Sequence, residues 1–433
     1  MKNPFADLPR EVGVLTAVAV AVAVGFGVVI PAIPLFAESF DVSDTAVGAV
    51  VSAFALMRFV SALGGGRLVD RFGERLILAT GIGIVAVSTG LAGLAQSYPQ
   101  LLVLRGIGGV GSAMFTISAT ALLLRVVDAA HRGRANGLFQ SGFLIGIVIG
   151  PAFGGFLTDA SIRLPFFVYA VTLVVAGGIG GLFLRSAALD HDPAPAVEPT
   201  AAVASIDDGG ASSAVDVMEL EQTQRDEPEE VESTTLAQAW SHLAYRAAVS
   251  VNFAVGFALF GLRFTLVPLF VTNVMHQAPV WIGIGLVCSS VAQAAFILVA
   301  SRVVDGRGRR PAMIIGSAIT ATGLLTLAIV QTLPAFLAAM TVMGLGSSFI
   351  STAPAAVVGD VMHGRGGRVV AVFQMASDAG QIVGPLAAGW LTDHVGYAQA
   401  FGVGAGVLVV AGALSARMPE TLPSRARGSA EIP

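Results

Sequence analysis

The chain has 433 residues, of which 55% are hydrophobic and 12% charged, with a formal net charge of -4 and a mean hydropathy of +0.80. A water-soluble protein of this length needs far more charge to cover its surface, so the composition excludes a soluble enzyme and offers no basic surface for nucleic acid. One cysteine, Cys288, excludes an internal disulfide framework, and no CxxC or Cys/His cluster points to a metal.

A membrane span takes about 20 apolar residues. In chain order, runs of that kind fall at 12–35, 44–66, 76–95, 99–124, 134–158 and 163–185. A second set follows at 244–272, 279–301, 311–331, 333–359, 368–392 and 396–416. The sequence therefore predicts an all-α membrane protein: residues 1–185 as an N-terminal six-helix bundle and 241–417 as a C-terminal one. The first run is too long for the core of a signal peptide and reads as a span. Between the bundles, 186–240 breaks the hydropathy. Thirteen acidic residues and one basic residue, Arg225, lie between 187 and 235. Such a stretch buries too little apolar surface to fold alone and reads as a disordered cytoplasmic linker; 418–433 reads as a cytoplasmic tail.

Loop charges set the orientation. One set of loops carries Arg67, Arg71, Arg75, Arg132, Arg134, Arg302, Arg307, Arg309, Arg310, Arg365 and Arg368, whereas the opposite set carries Arg163 beside Glu38, Asp41 and Asp44. The positive-inside rule then places both termini in the cytoplasm and the chain in the cell membrane.

The halves repeat at an offset of about 234 residues. FQSGFLIGIVIGPAFGGFLTD (139–159) aligns with FQMASDAGQIVGPLAAGWLTD (373–393), and GRLVDRFGER (66–75) with SRVVDGRGRR (301–310). A parallel repeat generates a pseudo-two-fold axis along the membrane normal, with the substrate site between the halves near the midplane.

On these residues the chain resembles the major facilitator superfamily, and within it the twelve-span drug:proton antiporters. GGRLVDRFGERLIL (65–78) looks like the superfamily's signature between spans 2 and 3. LLVLRGIGGVGSA (101–113) resembles the span-4 motif with its embedded arginine, GIVIGPAFGG (146–155) the span-5 antiporter motif, and VGFGVVIPAIP (24–34) the span-1 motif of the twelve-span exporters. The resemblance implies two pseudo-symmetric six-helix bundles, alternating access and a monomeric carrier in the lipid bilayer. It assigns a conformational gate to Gly66, Asp70, Arg71, Gly73 and Arg75, with Asp305 and Arg309 as a weaker second copy. By position among Arg67, Arg71 and Arg75, Asp70 reads as ionised and paired.

Gly146, Gly150, Gly154 and Gly155 keep one face of span 5 flat for a neighbouring helix, and Pro151 removes a helix hydrogen bond. Gly380, Gly384, Pro385 and Gly389 repeat the pattern in span 11. Packing and a hinge are both read there. Four charges fall inside spans, where each needs a reason. Asp378 sits about 15 Å into span 11 at 1.5 Å per residue; burial favours a neutral carboxyl and a nearby arginine an ionised one, so it suits either a proton carrier or a fixed ion pair. The resemblance gives Arg105 a role in proton movement or in the gate, with a buried ion pair as the alternative. Arg263 reads as a substrate contact or a partner for Asp378, and Arg58 as a cavity group or a side chain snorkelling to the membrane surface. Gln140, Gln374, Asn252 and Gln293 supply amides for a cavity or for bonds between helices.

No phosphate-binding loop, catalytic constellation or cofactor motif appears, which argues against an enzyme and against nucleotide-driven transport. The reading is a proton-coupled exporter of small lipophilic or organic molecules. The alternative is a proton- or sodium-coupled symporter importing a small solute such as a sugar or carboxylate. The basic excess inside the spans disfavours strictly cationic substrates.

Overall fold

The computed structural model describes residues 8–128, 131–183, 234–362 and 367–422. Arg225 and nearly all of the acidic linker, Arg365 and the last residues of the tail lie outside these. Among the described residues, twelve long helices make the fold. The first half holds α1 (Arg10–Glu38), α2 (Asp44–Phe72), α3 (Glu74–Gly93), α4 (Tyr98–Val126), α5 (Arg132–Ala160) and α6 (Leu164–Phe183). The second holds α7 (Leu243–Val274), α8 (Val280–Gly306), α9 (Arg309–Ile329), α10 (Leu333–Val361), α11 (Gly367–His394) and α12 (Tyr397–Arg417). Eleven of the helices among the described residues are long and apolar enough to cross a membrane. The twelfth, α11, is 28 residues long, and Gln374, Asp378 and Gln381 dilute its apolar run. A short helix, Leu236–Ser241, held by a Thr235/Gln238 capping box, ends the segment read as linker.

The helix boundaries follow local chemistry. Pro99 and Pro334 sit in the first turns of α4 and α10, where their missing N–H costs nothing. Gly73 and Gly308, at matching places in the repeat, turn the chain between α2 and α3 and between α8 and α9 with φ of 81° and 120°, a region open to glycine. The repeat reaches the opposite loops too, where Asp41 and His276 adopt φ of 55° and 52°.

Packing repeats as well. In the first half α1 lies on α5 and α6, and α4 on α2 and α3; in the second, α7 lies on α11 and α12, and α10 on α8 and α9. Lipid offers helices no hydrophobic drive to associate, so close backbone approach must supply the contact. Gly146, Gly150 and Gly154 bring α5 against Ala23, Gly27 and Val28 of α1, and Gly380 and Gly384 bring α11 against Phe253, Phe257 and Gly261 of α7. Outward-facing Leu63, Leu182 and Ile329 remain about 70% exposed or more, as lipid-facing side chains must.

The two halves meet through α2 with α11 and α5 with α8. These contacts gather toward one end, here the carboxylate end, which carries Glu38, Asp44 and Asp393. The other, the arginine end, carries the turns at Gly73 and Gly308. The first residues of the segment read as tail are built into it. Both Glu420 carboxylate oxygens accept from the Arg309 and Arg310 N–H groups at 2.8 and 3.1 Å, capping α9, while Met418 and Leu422 are buried.

Candidate functional site: a cleft sealed at one end

The seal at the carboxylate end is made of backbone and one carboxylate. Asp393, in the last turn of α11, accepts from the Asp44 N–H at 2.8 Å and from the Thr45 N–H at 2.9 Å, and also bonds the Thr45 hydroxyl. It therefore caps α2 from the opposite half, where the N–H groups and helix dipole favour an anion. Asn273 of α7 donates to Glu38 of α1 beside it. Deeper in, the two pseudo-symmetric interfaces lock backbone on backbone. A Cβ on Gly48 would strike the Pro385 carbonyl, and one on Gly283 would strike the Pro151 carbonyl. Gly155 lies against Gly283, and Gly389 against Asp44. Below these, Ser52 donates to the Ile382 carbonyl at 2.7 Å and Ser290 to the Ile147 carbonyl at 3.5 Å.

Beyond that seal a partly open cleft runs between the halves. Its polar groups are Arg58 of α2, Arg105 of α4, and Asp378 and Gln381 of α11; Phe26, Phe54, Phe260 and Phe264 supply aromatic walls. Phe26 and Phe54 stack with centroids 6.2 Å apart, and Phe260 and Phe264 meet edge to face at 5.8 Å. The Arg105 guanidinium lies 4.6 Å from the Phe54 ring centroid, a cation–π contact, and interacts electrostatically with Tyr169 of α6. Arg105 is 4% exposed, and its Nε is buried without a hydrogen-bond partner. Asp378 is only partly buried and forms no ion pair among the described residues; Arg58 lines the same cleft.

Among the residues singled out by sequence, Arg58, Arg105 and Asp378 thus come together. Others do not. Arg263 is not the partner of Asp378: it is buried within the second half, donates from Nη1 to Ser289 Oγ at 2.8 Å and stacks on Phe264. Asn252 is committed to packing, donating to the Phe373 carbonyl of α11 at 2.7 Å. Gln140 and Gln374 are exposed and Gln293 partly so, all outside the cleft lining. At the arginine end, Asp70 is exposed and makes no ion pair among the described residues, contrary to its expected pairing. Arg71 rests on its neighbour Phe72, and Gly66 faces open space. The second copy is clamped: Arg309 pairs with Asp360 at 3.0 Å and with Asp305 at 3.5 Å.

Gln381 and the four phenylalanines were not legible as cavity residues in the sequence. One signal existed: Phe26 and Phe260 occupy the same place in the repeat. In α7 the chain also widens into π-helical turns at Gly256–Leu262 and Phe270–Val274. Such turns gather at functional sites, and the first carries Phe260.

Two six-helix halves related by a repeat, closed at one end around a cleft with a carboxylate, define a helical membrane carrier. The Major Facilitator Superfamily model matches residues 15–288 and 265–433, and the chain belongs to that family. A bacterial homolog of the human lysosomal transporter Spinster, crystallised inward-facing and unoccupied, superposes with a TM-score of 0.70 at 14% identity over 100% of this chain and 99% of that one. A POT family transporter in complex with a thioalcohol-conjugated peptide gives 0.73 at 12% identity over 95% and 96%. Among curated relatives, Multidrug resistance protein 1 of Bacillus subtilis (strain 168) is 34% identical over 161 residues, 37% of this chain and 41% of the relative. Quinolone resistance protein NorA of Staphylococcus aureus (strain MRSA252) is 31% identical over 170 residues, 39% and 42% of the two chains. The matched part thus spans about two fifths of those relatives.

Proposed function

We propose that this chain is a proton-coupled exporter: an antiporter that moves small lipophilic or organic molecules out of the cell by alternating access. It acts as a monomer in the plasma membrane, with its arginine end and both termini in the cytoplasm. The observation that carries this reading is the setting of Asp378, which lines the cleft between the halves together with Arg58. A carboxylate there can hold a proton in one phase of the cycle and face the guanidinium in the other. The partial similarity to Multidrug resistance protein 1 and to NorA supports the direction. With the positive-inside rule the seal lies outside, so the present state faces inward. The exposed, unpaired Asp70 fits a cytoplasmic gate that has been released.

The test is proton flux in proteoliposomes of known orientation containing a trapped pH dye. Exchange predicts that an added substrate moves protons opposite to its own flux. Asp378→Asn, which keeps the shape and loses the titration, is expected to abolish coupled flux, a loss of at least roughly 100-fold, by the scale of a tuned acid–base group. Co-directional movement of proton and compound would establish symport instead, and wild-type coupling in Asp378→Asn would remove Asp378 from the proton path.

A further inference from the structure

The second half turns an open trough toward the lipid. It lies between α11 and α12 with α7 as its floor: α7 packs on both, while those two touch each other only lightly. Val249 and Phe253 of α7 make the floor and Ala376 of α11 one bank. Gly406, Val410 and Leu414, spaced by helical turns, make the other bank on α12. The one hydroxyl, that of Ser250, donates to the Arg246 carbonyl of its own helix at 2.8 Å, so the lining is apolar. Val410 is 61% exposed, and the trough shares no lining residue with the cleft between the halves.

The repeat does not demand this opening. VTLVVAG (171–177) aligns with GVLVVAG (406–412); where Gly406 leaves open space for a side chain, Val171 projects and is 62% exposed. In the first half, moreover, Arg10 of α1 lies over Phe183 of α6, 5.3 Å from the ring centroid. In the second half each helix of the trough leads to an exposed arginine at the arginine end: Arg246 one turn before Ser250, Arg368 two turns before Ala376, and Arg417 one turn beyond Leu414. None of the three has an ion pair among the described residues. From Leu414 to Val403 is 11 residues, about 16 Å at 1.5 Å per residue, near half of a hydrocarbon core of roughly 30 Å. That is the depth of one leaflet and the reach of one acyl chain. Three cations from three helices, set around the end of an apolar trough of that length, match an anionic head on an apolar tail.

We propose that the trough binds an anionic phospholipid, one acyl chain lying along α7 between α11 and α12 and the phosphate held by Arg246, Arg368 and Arg417. Basic clusters at a membrane surface gather such headgroups, each arginine contributing about a five-fold change in affinity. The site also touches the helix that carries the cleft's carboxylate. Ala376 and Asp378 stand two residues apart, on opposite sides of α11, one in the trough and the other in the cleft. The lipid braces the outer side of that helix.

Native mass spectrometry of the full chain in nonionic detergent tests it, with dioleoyl phosphatidylglycerol and dioleoyl phosphatidylcholine as probes; the two share their tails and differ in net charge. One phosphatidylglycerol is expected to bind at least about 10-fold tighter than phosphatidylcholine. Gly406→Phe, whose side chain enters open space, is expected to abolish that tight binding with unchanged thermal stability. Val171→Phe, at the aligned place in the first half, is expected to leave it intact. Arg246→Gln and Arg417→Gln are each expected to weaken phosphatidylglycerol about five-fold and leave phosphatidylcholine unchanged. Equal affinity of the two lipids for wild type overturns the proposal, and that comparison needs no variant to fold. A preference that survives Gly406→Phe overturns it too, placing the anionic lipid elsewhere on the surface. So does a wild-type dimer that Gly406→Phe disperses, which gives the trough to a second copy of the chain.

Discussion

The two ends of the bundle are closed by different means. At the carboxylate end, the polar bonds cross between halves: Asp393 to α2, and Asn273 to Glu38. At the arginine end, the ion pairs seen among the described residues include two that lie within a half: Glu74 with Arg125 at 2.8 Å in the first, and Arg309 with Asp360 at 3.0 Å in the second. Those two pairs occupy equivalent places in the repeat with their signs exchanged, Glu74 matching Arg309 and Arg125 matching Asp360. The repeat therefore keeps the tie between two helices and not the charge on either. If the halves rock as proposed above, clamps inside a half keep it rigid while it moves, and bonds between halves are what the movement must break.

That contrast is open to direct attack. The largest effect is expected at the backbone seal. Gly283→Leu forces a side chain onto the Pro151 carbonyl and Gly155; the interface cannot shut, and transport should fall to background while the protein still inserts. Cysteine labelling at the carboxylate end should rise to saturation. Asp393→Ala removes an acceptor that serves three donors, at an exposed site. Roughly 1–2 kcal/mol of the sealed state should be lost, about a ten-fold shift in population, readable as a longer spin-label distance across that end. Asp393→Asn should restore part of it. The smallest effect is expected at the arginine end. Glu74→Arg should lower thermal stability slightly, since Arg125 is 71% exposed and such pairs contribute about 0–1 kcal/mol. Adding Arg125→Glu, which writes the second half's polarity into the first, should recover it with unchanged transport. A failure of the double variant to recover would show that the sign matters after all.

Much of the architecture was legible beforehand because lipid is a demanding solvent. Twelve apolar runs of sufficient length, and a repeat as plain as 139–159 against 373–393, leave few folds open. The cost of charge in a span singled out Arg58, Arg105 and Asp378 as residues needing a reason, but it also singled out Arg263 and did not say which of them share a cleft. The aromatic walls were not singled out at all. In a soluble helix the apolar stripe marks the core, but here lipid and cavity both take apolar side chains, so an apolar stripe does not mark Phe54 as a cavity residue and Leu56, two residues on, as an outward-facing one. Arg263 and Arg105 looked alike for the same reason; what distinguishes them is Ser289, which lies 26 residues from Arg263. The Asp393 cap was hidden because its partners include backbone N–H groups on a helix 348 residues away, and backbone carries no sequence signal. Asn252, polar and mid-span, proved to be a tie to α11.

The paired contacts of Gly48 with the Pro385 carbonyl and Gly283 with the Pro151 carbonyl have a mechanical meaning. Two matched points of backbone touch, one on each side of the pseudo-two-fold axis, act as a fulcrum. On α2 the fulcrum stands 4 residues from Asp44 and 24 from Phe72, lever arms of about 6 and 36 Å at 1.5 Å per residue. A seesaw so unevenly hung swings its long side through roughly six times the travel of its short side. A pivot held there yields a broad mouth at one end and a slit at the other, so a molecule that passes the slit must be thin.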